Sequence, residues 1–118
     1  MPKFLPIAYF QKQFCPFAEA TLSVATHALH YGTGAFGGMR GLPNPTDPSQ
    51  ILLFRLERHC QRLSQSARFL HFDLPASEIK TVLVEFIKQN RPQEPFYIRP
   101  LVYTSDLGIA PRLHDVEH

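Results

Sequence analysis

The chain of 118 residues has few cysteines and no long apolar run. Cys15 and Cys60 are its only cysteines, and they lie far below the density of a disulfide-stabilised secreted domain. We therefore expect both thiols to be free, as in a reducing compartment. No segment approaches the roughly 18 continuous apolar residues of a membrane span, and the first residues do not resemble a signal peptide. These absences predict a cytoplasmic protein with no membrane partner.

The sequence also has little net charge, only +2, and its lysines and arginines are spread along the chain. This balance predicts no nucleic-acid partner. The G-x-S-x-G motif of serine hydrolases is absent. His27 and His30 lie three residues apart, but no nearby Cys, Asp or Glu completes a metal site, so we expect structural histidines and no metal. The residues taken one motif at a time complete no catalytic constellation.

What is present predicts one α+β domain over residues 1–118, since the length and the 44% hydrophobic content suffice for one core. Two apolar stripes with helical spacing predict adjacent helices, one from Arg55 to Leu70 and one from Pro75 to Asn90, with Ser77 as its cap. Strands are predicted at residues 7–10, 14–17, 51–54 and 96–103, and residues 43–48 are predicted to form a loop. This order favours an antiparallel or mixed sheet with both helices packed on one side.

The segment from His27 to Gly41 contains five glycines, and three of them, Gly32, Gly34 and Gly37, match the dinucleotide-binding pattern G-x-G-x-x-G. That pattern requires a buried strand before it and a helix after it. The preceding residues are polar, and Pro43 soon ends any helix. We therefore interpret the segment as a backbone that approaches a ligand or another chain closely.

Two sets of polar residues could bind anions. Arg55, Arg58 and Arg62 share one face of the first predicted helix, which suits a phosphate but equally suits a solvated stripe. Tyr97 and Arg99 share one face of the last predicted strand, and if the alternate residues face the helices, this face opens onto a cavity or a partner. This pair suits a carboxylate or a structural ion pair, and the residue types alone do not separate the alternatives.

Taken together, residues 27–36 (HALHYGTGAF), 54–63 (FRLERHCQRL) and 97–101 (YIRPL) resemble the branched-chain amino-acid aminotransferases. These are fold-type IV enzymes that use pyridoxal 5′-phosphate. The three motifs follow that family's order and spacing, and the resemblance extends over nearly the whole chain from Ile7 onward. It implies the fold of the small N-terminal domain of those enzymes.

The resemblance also implies residue roles. Arg62 is similar to the arginine that holds the cofactor phosphate, and Tyr97 to the tyrosine that helps bind the substrate α-carboxylate. Arg99 matches the residue that meets the distal carboxylate of glutamate, and Tyr31 and Phe36 match walls of the pocket for a branched side chain. Many relatives have an acidic residue after the phenylalanine, where this chain has a glycine.

The Schiff-base lysine of the family lies in a second domain, beyond the point where this sequence stops, and the lysines here do not stand in its motif. No catalytic residue is therefore expected in this chain. The weak periodicity of residues 109–118 agrees with an N-terminal domain cut from a longer enzyme, inactive alone. The complete enzyme would exchange amino groups between leucine, isoleucine or valine and 2-oxoglutarate, as a homodimer.

Two alternatives belong to the same fold: a D-amino-acid aminotransferase and an aminodeoxychorismate lyase. The Tyr97-x-Arg99 pair and the His30-Tyr31 approach fit the branched-chain enzymes better. An alternative of another class is a non-catalytic anion-binding or dimerisation module, in which the arginines would serve a partner protein.

Overall fold

The computed structural model describes residues 3–105, so the weakly periodic segment 109–118 lies outside the described residues. The strands are β1 (Ile7–Phe10), β2 (Gln13–Pro16), β3 (Gly34–Phe36), β4 (Met39–Asn44), β5 (Asp47–Leu53), β6 (Phe96–Ile98) and β7 (Leu101–Tyr103). The α-helices are α1 (His27–Tyr31), α2 (Leu56–Arg68) and α3 (Ala76–Asn90), and a single 3₁₀ turn covers Phe17–Glu19. None of the helices in residues 3–105 is long and apolar enough to cross a bilayer.

The described strands form three antiparallel sheets, with orders β1-β2, β3-β7 and β5-β4-β6. The predicted α+β class and antiparallel pairing are confirmed, but the prediction of one sheet and of one last strand is wrong. Pro100 lies between β6 and β7 and has no N–H to continue a ladder. The chain changes ladder there, because β6 pairs with β4 whereas β7 pairs with β3.

The two predicted helices form the centre of the core. The buried side chains of α2 include Cys60, Leu63 and Ala67, which are at most 3% exposed. Those of α3 include Ile79, Leu83 and Ile87. They pack against Met39, Ile98 and Val102 from three strands. Alternation along the last two strands therefore directs one set of side chains toward the helices, as predicted, and leaves the other set at the surface.

The helix ends differ from the prediction. Arg55 is the N-cap of α2 in a left-handed conformation (φ 54°), and the helix ends at Arg68 rather than Leu70. Pro75 occupies the N-cap of α3 without a side-chain cap, so Ser77 does not cap it. Ser77 lies inside the first turn, where its carbonyl accepts a hydrogen bond from the Thr81 hydroxyl.

The predicted loop at residues 43–48 is instead a hairpin of β4 and β5 that turns at residues 45–46. Its prolines fit because they lie at open edges. β5 is an edge strand, and β6 pairs with β4 only as far as Gly41, so Pro43 and Pro48 interrupt no further ladder. The Asn44 side chain accepts hydrogen bonds from the backbone N–H and hydroxyl of Thr46, which stabilises the turn.

The glycine segment begins with the short helix α1, which sequence reasoning missed. His27 is fully buried, and its Nδ1 lies 2.8 Å from Thr33 Oγ1. His30 donates from Nε2 to the Val24 carbonyl at 2.8 Å. Both histidines thus have the structural contacts that we expected. Gly32 ends the helix in the left-handed conformation, at φ 63°, which glycine adopts with the least conformational strain.

Candidate functional site

The site lies where the chain changes from one ladder to another twice. Residues 37–38 connect β3 to β4, and residues 99–100 connect β6 to β7. These two connections lie side by side, since Gly37 N–H donates to the Pro100 carbonyl at 3.0 Å. The side chains on either side of this double crossover can therefore converge, although they come from distant parts of the sequence.

A cavity of about 240 Å³ opens between the crossover and α2. The crossover and the strands that enter it contribute Phe36, Gly37, Gly38 and Tyr97 to its wall, and the helix contributes His59, Arg62, Leu63 and Ser66. Three of the residues predicted from the sequence therefore line one cavity: Arg62, Phe36 and Tyr97. A guanidinium, a phenol and an apolar ring around one opening could bind an anionic molecule that has an apolar part.

Arg99 joins this group from above the rings. Its guanidinium carbon lies 4.6 Å from the centre of the Phe36 ring and 5.5 Å from that of Tyr97. Arg99 Nη2 also donates a long hydrogen bond of 3.4 Å to Tyr97 Oη. Phe36 is 61% exposed and Tyr97 54%, so this trio meets solvent rather than filling the core. The rings hold the Arg99 guanidinium at the mouth of the cavity.

A second groove, of about 210 Å³, runs along the first turns of α2. It is lined by Phe54, Arg55, Arg58, His59 and Arg62, so the three arginines share a surface as predicted. No carboxylate in residues 3–105 forms an ion pair with any of these arginines. The adjacent carboxylate on α2, Glu57, is engaged by Lys80 instead. The groove is thus a surface of unpaired positive charge that continues into the first cavity at Arg62.

Tyr31 is the predicted site residue that the structure does not bring to the cavity. It lies at the end of α1, where its ring centre is 4.7 Å from that of His27. The side chain is 41% exposed and lines neither concave surface. Its predicted contact with a substrate stays a prediction, and such a contact would need a molecule or chain that approaches α1.

Sequence reasoning missed His59 and Ser66 as site residues. Both lie on α2 at three and four residues from Arg62, which places all three on neighbouring turns of one face. An imidazole and a hydroxyl beside a guanidinium add hydrogen-bond donors for an anion. The helical spacing around Arg62 was the available signal.

Burial raises the pKa of the Cys60 thiol, and the nearby Glu57 carboxylate adds to this effect while Lys80 opposes it. Cys60 is 1% exposed and belongs to the core rather than to the cavity wall. A protonated thiol away from the cavity is a packing group and not an activated nucleophile. The hydrogen bond with Glu57 raises the pKa of Lys80, which keeps that amine charged and occupied.

Comparison with known proteins identifies a family. The sequence profile of the class IV aminotransferases matches residues 36–115. A probable branched-chain-amino-acid aminotransferase from Synechocystis is 67% identical over 117 residues, which cover 99% of this chain and 38% of that protein. The chain thus spans little more than a third of the length of this relative.

Solved structures give the same result. The branched-chain aminotransferase from Thermoproteus uzoniensis with norvaline superposes with a TM-score of 0.79 at 30% identity, covering 90% of this chain and 35% of that one. A T.th. branched-chain amino acid aminotransferase, complexed with N-(5′-phosphopyridoxyl)-L-glutamate, has a TM-score of 0.78 at 30% identity. That match covers 96% of this chain and 38% of the other. The fold expected from the motifs is therefore confirmed.

Proposed function

From the premise that this chain belongs to the class IV aminotransferase family, we propose that it is the N-terminal domain of a branched-chain amino-acid aminotransferase. The complete enzyme transfers the amino group between leucine, isoleucine or valine and 2-oxoglutarate. The observation that carries this proposal is the convergence of Arg62, Phe36 and Tyr97 on one cavity with Arg99 at its mouth. The branched-chain aminotransferases among its relatives support the choice of substrate class.

Arg62 is the residue of this chain that fits the phosphate of pyridoxal 5′-phosphate. Its guanidinium lines the cavity, and none of the carboxylates in the described part of the chain neutralises it. Planar guanidinium groups bind phosphate through paired donors, and His59 and Ser66 stand close enough along α2 to add further donors. When bound, the cofactor supplies the carbon that carries the amino group between substrates. Arg62 contributes binding and orientation.

Substrate binding falls to the crossover residues. The Tyr97 hydroxyl can donate to the carboxylate of an amino acid, and Arg99 can pair with the second carboxylate of glutamate. Phe36 offers an exposed apolar ring to the branched side chain of the other substrates. One site thus has apolar and cationic surfaces side by side, which suits an enzyme that alternates between an aliphatic and an acidic substrate.

The proposal includes a second domain that carries the Schiff-base lysine, a homodimeric assembly and a cytoplasmic location. Exposed apolar side chains near α1 and the crossover support a surface that another domain or subunit covers in the complete enzyme. Val24 is 83% exposed, Leu29 61% and Leu101 53%. Two free thiols support a reducing compartment. The chain alone should show no steady turnover with glutamate, a branched 2-oxo acid and cofactor, and turnover would contradict a lysine in a second domain.

The phosphate role can be tested with pyridoxamine 5′-phosphate, which has no aldehyde to react with surface lysines. We expect Arg62→Ala to weaken its binding to the chain by about 10- to 100-fold, the typical loss of a hydrogen bond to a charged group. Arg68→Ala is the matched control, because Arg68 is exposed on the last turn of the same helix and lines neither cavity. Isothermal titration calorimetry measures both variants.

Pyridoxamine, which lacks the phosphate, separates phosphate binding from ring binding. Its affinity should be the same in Arg62→Ala and in the unchanged chain. Equal weakening of both ligands, or equal loss in Arg68→Ala, would contradict a specific phosphate contact at Arg62.

A further inference from the structure

Gly38 lies in the crossover at a position where its backbone does not require a glycine. Gly32 is the one glycine of residues 3–105 with a positive φ. The reason for a glycine at position 38 is space. A Cβ added there would lie 2.1 Å from Tyr97 Oη, 2.7 Å from Cζ and 3.0 Å from Cε2. The phenol of Tyr97 therefore occupies the volume that any other residue would need.

This position of the phenol controls more than one side chain. β4 and β6 pair Arg40 with Tyr97 and leave Gly38 just outside the ladder. The Tyr97 ring lies over that gap, where its hydroxyl is 3.4 Å from Arg99 Nη2. Arg99 in turn stacks on Phe36 at 4.6 Å. A displaced Tyr97 would remove one of the contacts that hold Arg99 at the mouth of the cavity.

We propose that Gly38 is a positioning residue: its missing side chain seats the Tyr97 phenol and, through it, sets the position of Arg99. We call this position of the Tyr97 phenol against Gly38 the seat. The seat does not depend on the proposed function, whereas its consequence for dicarboxylate binding does. Tyr97 is 54% exposed, so it can rotate outward in a Gly38→Ala variant at little cost in stability. The variant should therefore fold and differ mainly at the site.

The neighbouring glycine provides a matched control. A Cβ at Gly37 would meet only Pro100 Cγ, at an ordinary van der Waals distance of 3.8 Å. Gly37→Ala thus adds the same methyl group one residue away, to the same connection, without touching the phenol. A change in chain flexibility would affect both variants, whereas loss of the seat would affect Gly38→Ala alone.

NMR spectroscopy of the full 118-residue chain tests the seat without any ligand. In the unchanged chain and in Gly37→Ala, we expect the Arg99 Nε–H signal to be shifted by the Phe36 and Tyr97 rings, with NOEs from Tyr97 to Arg99. In Gly38→Ala, this signal should move toward its random-coil position and the NOEs should disappear, while backbone amide signals of the core stay in place. An unchanged Arg99 signal and unchanged NOEs in Gly38→Ala would overturn the proposal.

A second variant and a ligand complete the test. In a Tyr97→Ala background, a further Gly38→Ala change should leave the Arg99 signal where Tyr97→Ala alone puts it; an additional shift would overturn a role through Tyr97. With 2-oxoglutarate added to the chain saturated with pyridoxamine 5′-phosphate, Gly38→Ala should weaken binding roughly tenfold and Gly37→Ala should not. If the NMR results hold but the unchanged chain binds no 2-oxoglutarate, the seat stands and the proposed function fails.

Discussion

Replacing Asn90 by aspartate tests how the N-terminal hairpin is attached to the helices. Asn90 is the last residue of α3 and is 9% exposed. Its Oδ1 accepts a hydrogen bond from Ile7 N–H at 2.9 Å. Its Nδ2 donates to the carbonyls of Ile7 at 2.9 Å and of Phe86 at 3.1 Å. One amide thus satisfies both backbone groups of Ile7 and connects β1 to α3.

Asn90→Asp keeps the shape and the acceptor but removes both donors. Two carbonyl oxygens then face a carboxylate oxygen in a partly buried position. Leaving a buried acceptor without its donor costs about 1 to 3 kcal/mol, so we expect a loss of about 2 to 4 kcal/mol at neutral pH. With a urea m-value of about 1 to 3 kcal/mol/M for a small protein, the unfolding midpoint should fall by roughly 1 to 4 M.

The loss should depend on pH. The adjacent carbonyl oxygens favour the protonated form of the introduced carboxyl, so its pKa in the folded state is raised above the unfolded value. Stability is then retained below the unfolded pKa, near pH 4, and lost as the pH rises through the folded-state pKa. Asn90→Ala lacks the carboxyl and should show a deficit without this dependence.

The assay is urea unfolding followed by far-ultraviolet circular dichroism, at neutral pH and near pH 4, for the unchanged chain and both variants. The deficit of Asn90→Asp relative to the unchanged chain should shrink at the lower pH, and that of Asn90→Ala should not. If Asn90→Asp is as stable as the unchanged chain at neutral pH, the two donated bonds contribute nothing and the reasoning is refuted.

Three further predictions concern the core. Gly41→Ala should destabilise the chain by about 1 to 3 kcal/mol, because a Cβ there would lie 2.3 Å from Cζ of the partly buried Phe96 ring; an unchanged urea midpoint would contradict this. Leu63→Ala, at a site 3% exposed, should cost about 2 to 5 kcal/mol in the same assay, and a cost below about 1 kcal/mol would show a loosely packed core. The pKa of the Cys60 thiol is raised by burial, so stability should fall as the pH rises above the ordinary thiol range, because the unfolded state ionises first. Cys60→Ala should remove that dependence, and a maleimide should label the partly exposed Cys15 first.

The two long helices could be predicted from sequence because their apolar stripes report a single buried face. Leu63 and Ala67 of α2, and Leu83 and Ile87 of α3, keep helical spacing and are all buried. Periodicity of this kind depends on neighbours within the same element. It specifies the face of a helix well and its ends poorly, which is why the start of α2 differs by one residue and its end by two.

The strands were harder because their pairing is decided by distant residues. Residues 43–48 of the β4–β5 hairpin were predicted to be a loop on account of their composition, and their prolines are tolerated because the edges beside them are open. The last strand divides at Pro100, whose effect was anticipated as a distortion but not as a change of ladder. Helix α1 has five residues, too few for a periodic signal. Each of these features depends on which segment lies alongside, which a single sequence does not state.

The candidate site likewise contains residues that sequence motifs could identify and one residue that only the structure could. Arg62, Phe36 and Tyr97 were found through motifs, and the fold then brought them to one cavity. The function of Gly38 has no sequence signal, because its neighbour in space is Tyr97, 59 positions away. A glycine required for its conformation often stands in a turn pattern, whereas a glycine required for space is recognised only when the occupant of that space is seen.

The position of the site follows from the break in the sheet. A continuous strand from residue 96 to 103 would keep the side chains of Tyr97 and Arg99 in one flat row, with no opening toward α2. Pro100 lies between β6 and β7, and its carbonyl accepts a hydrogen bond from Gly37 N–H, so the chain changes sheet where residues 37–38 also change sheet. Strand alternation turns the Tyr97 side chain away from the core, and at this break in the sheet Tyr97 lines the cavity together with Arg62. The proline that interrupts the sheet thus lies next to the concave surface on which the proposed cofactor and substrate groups converge.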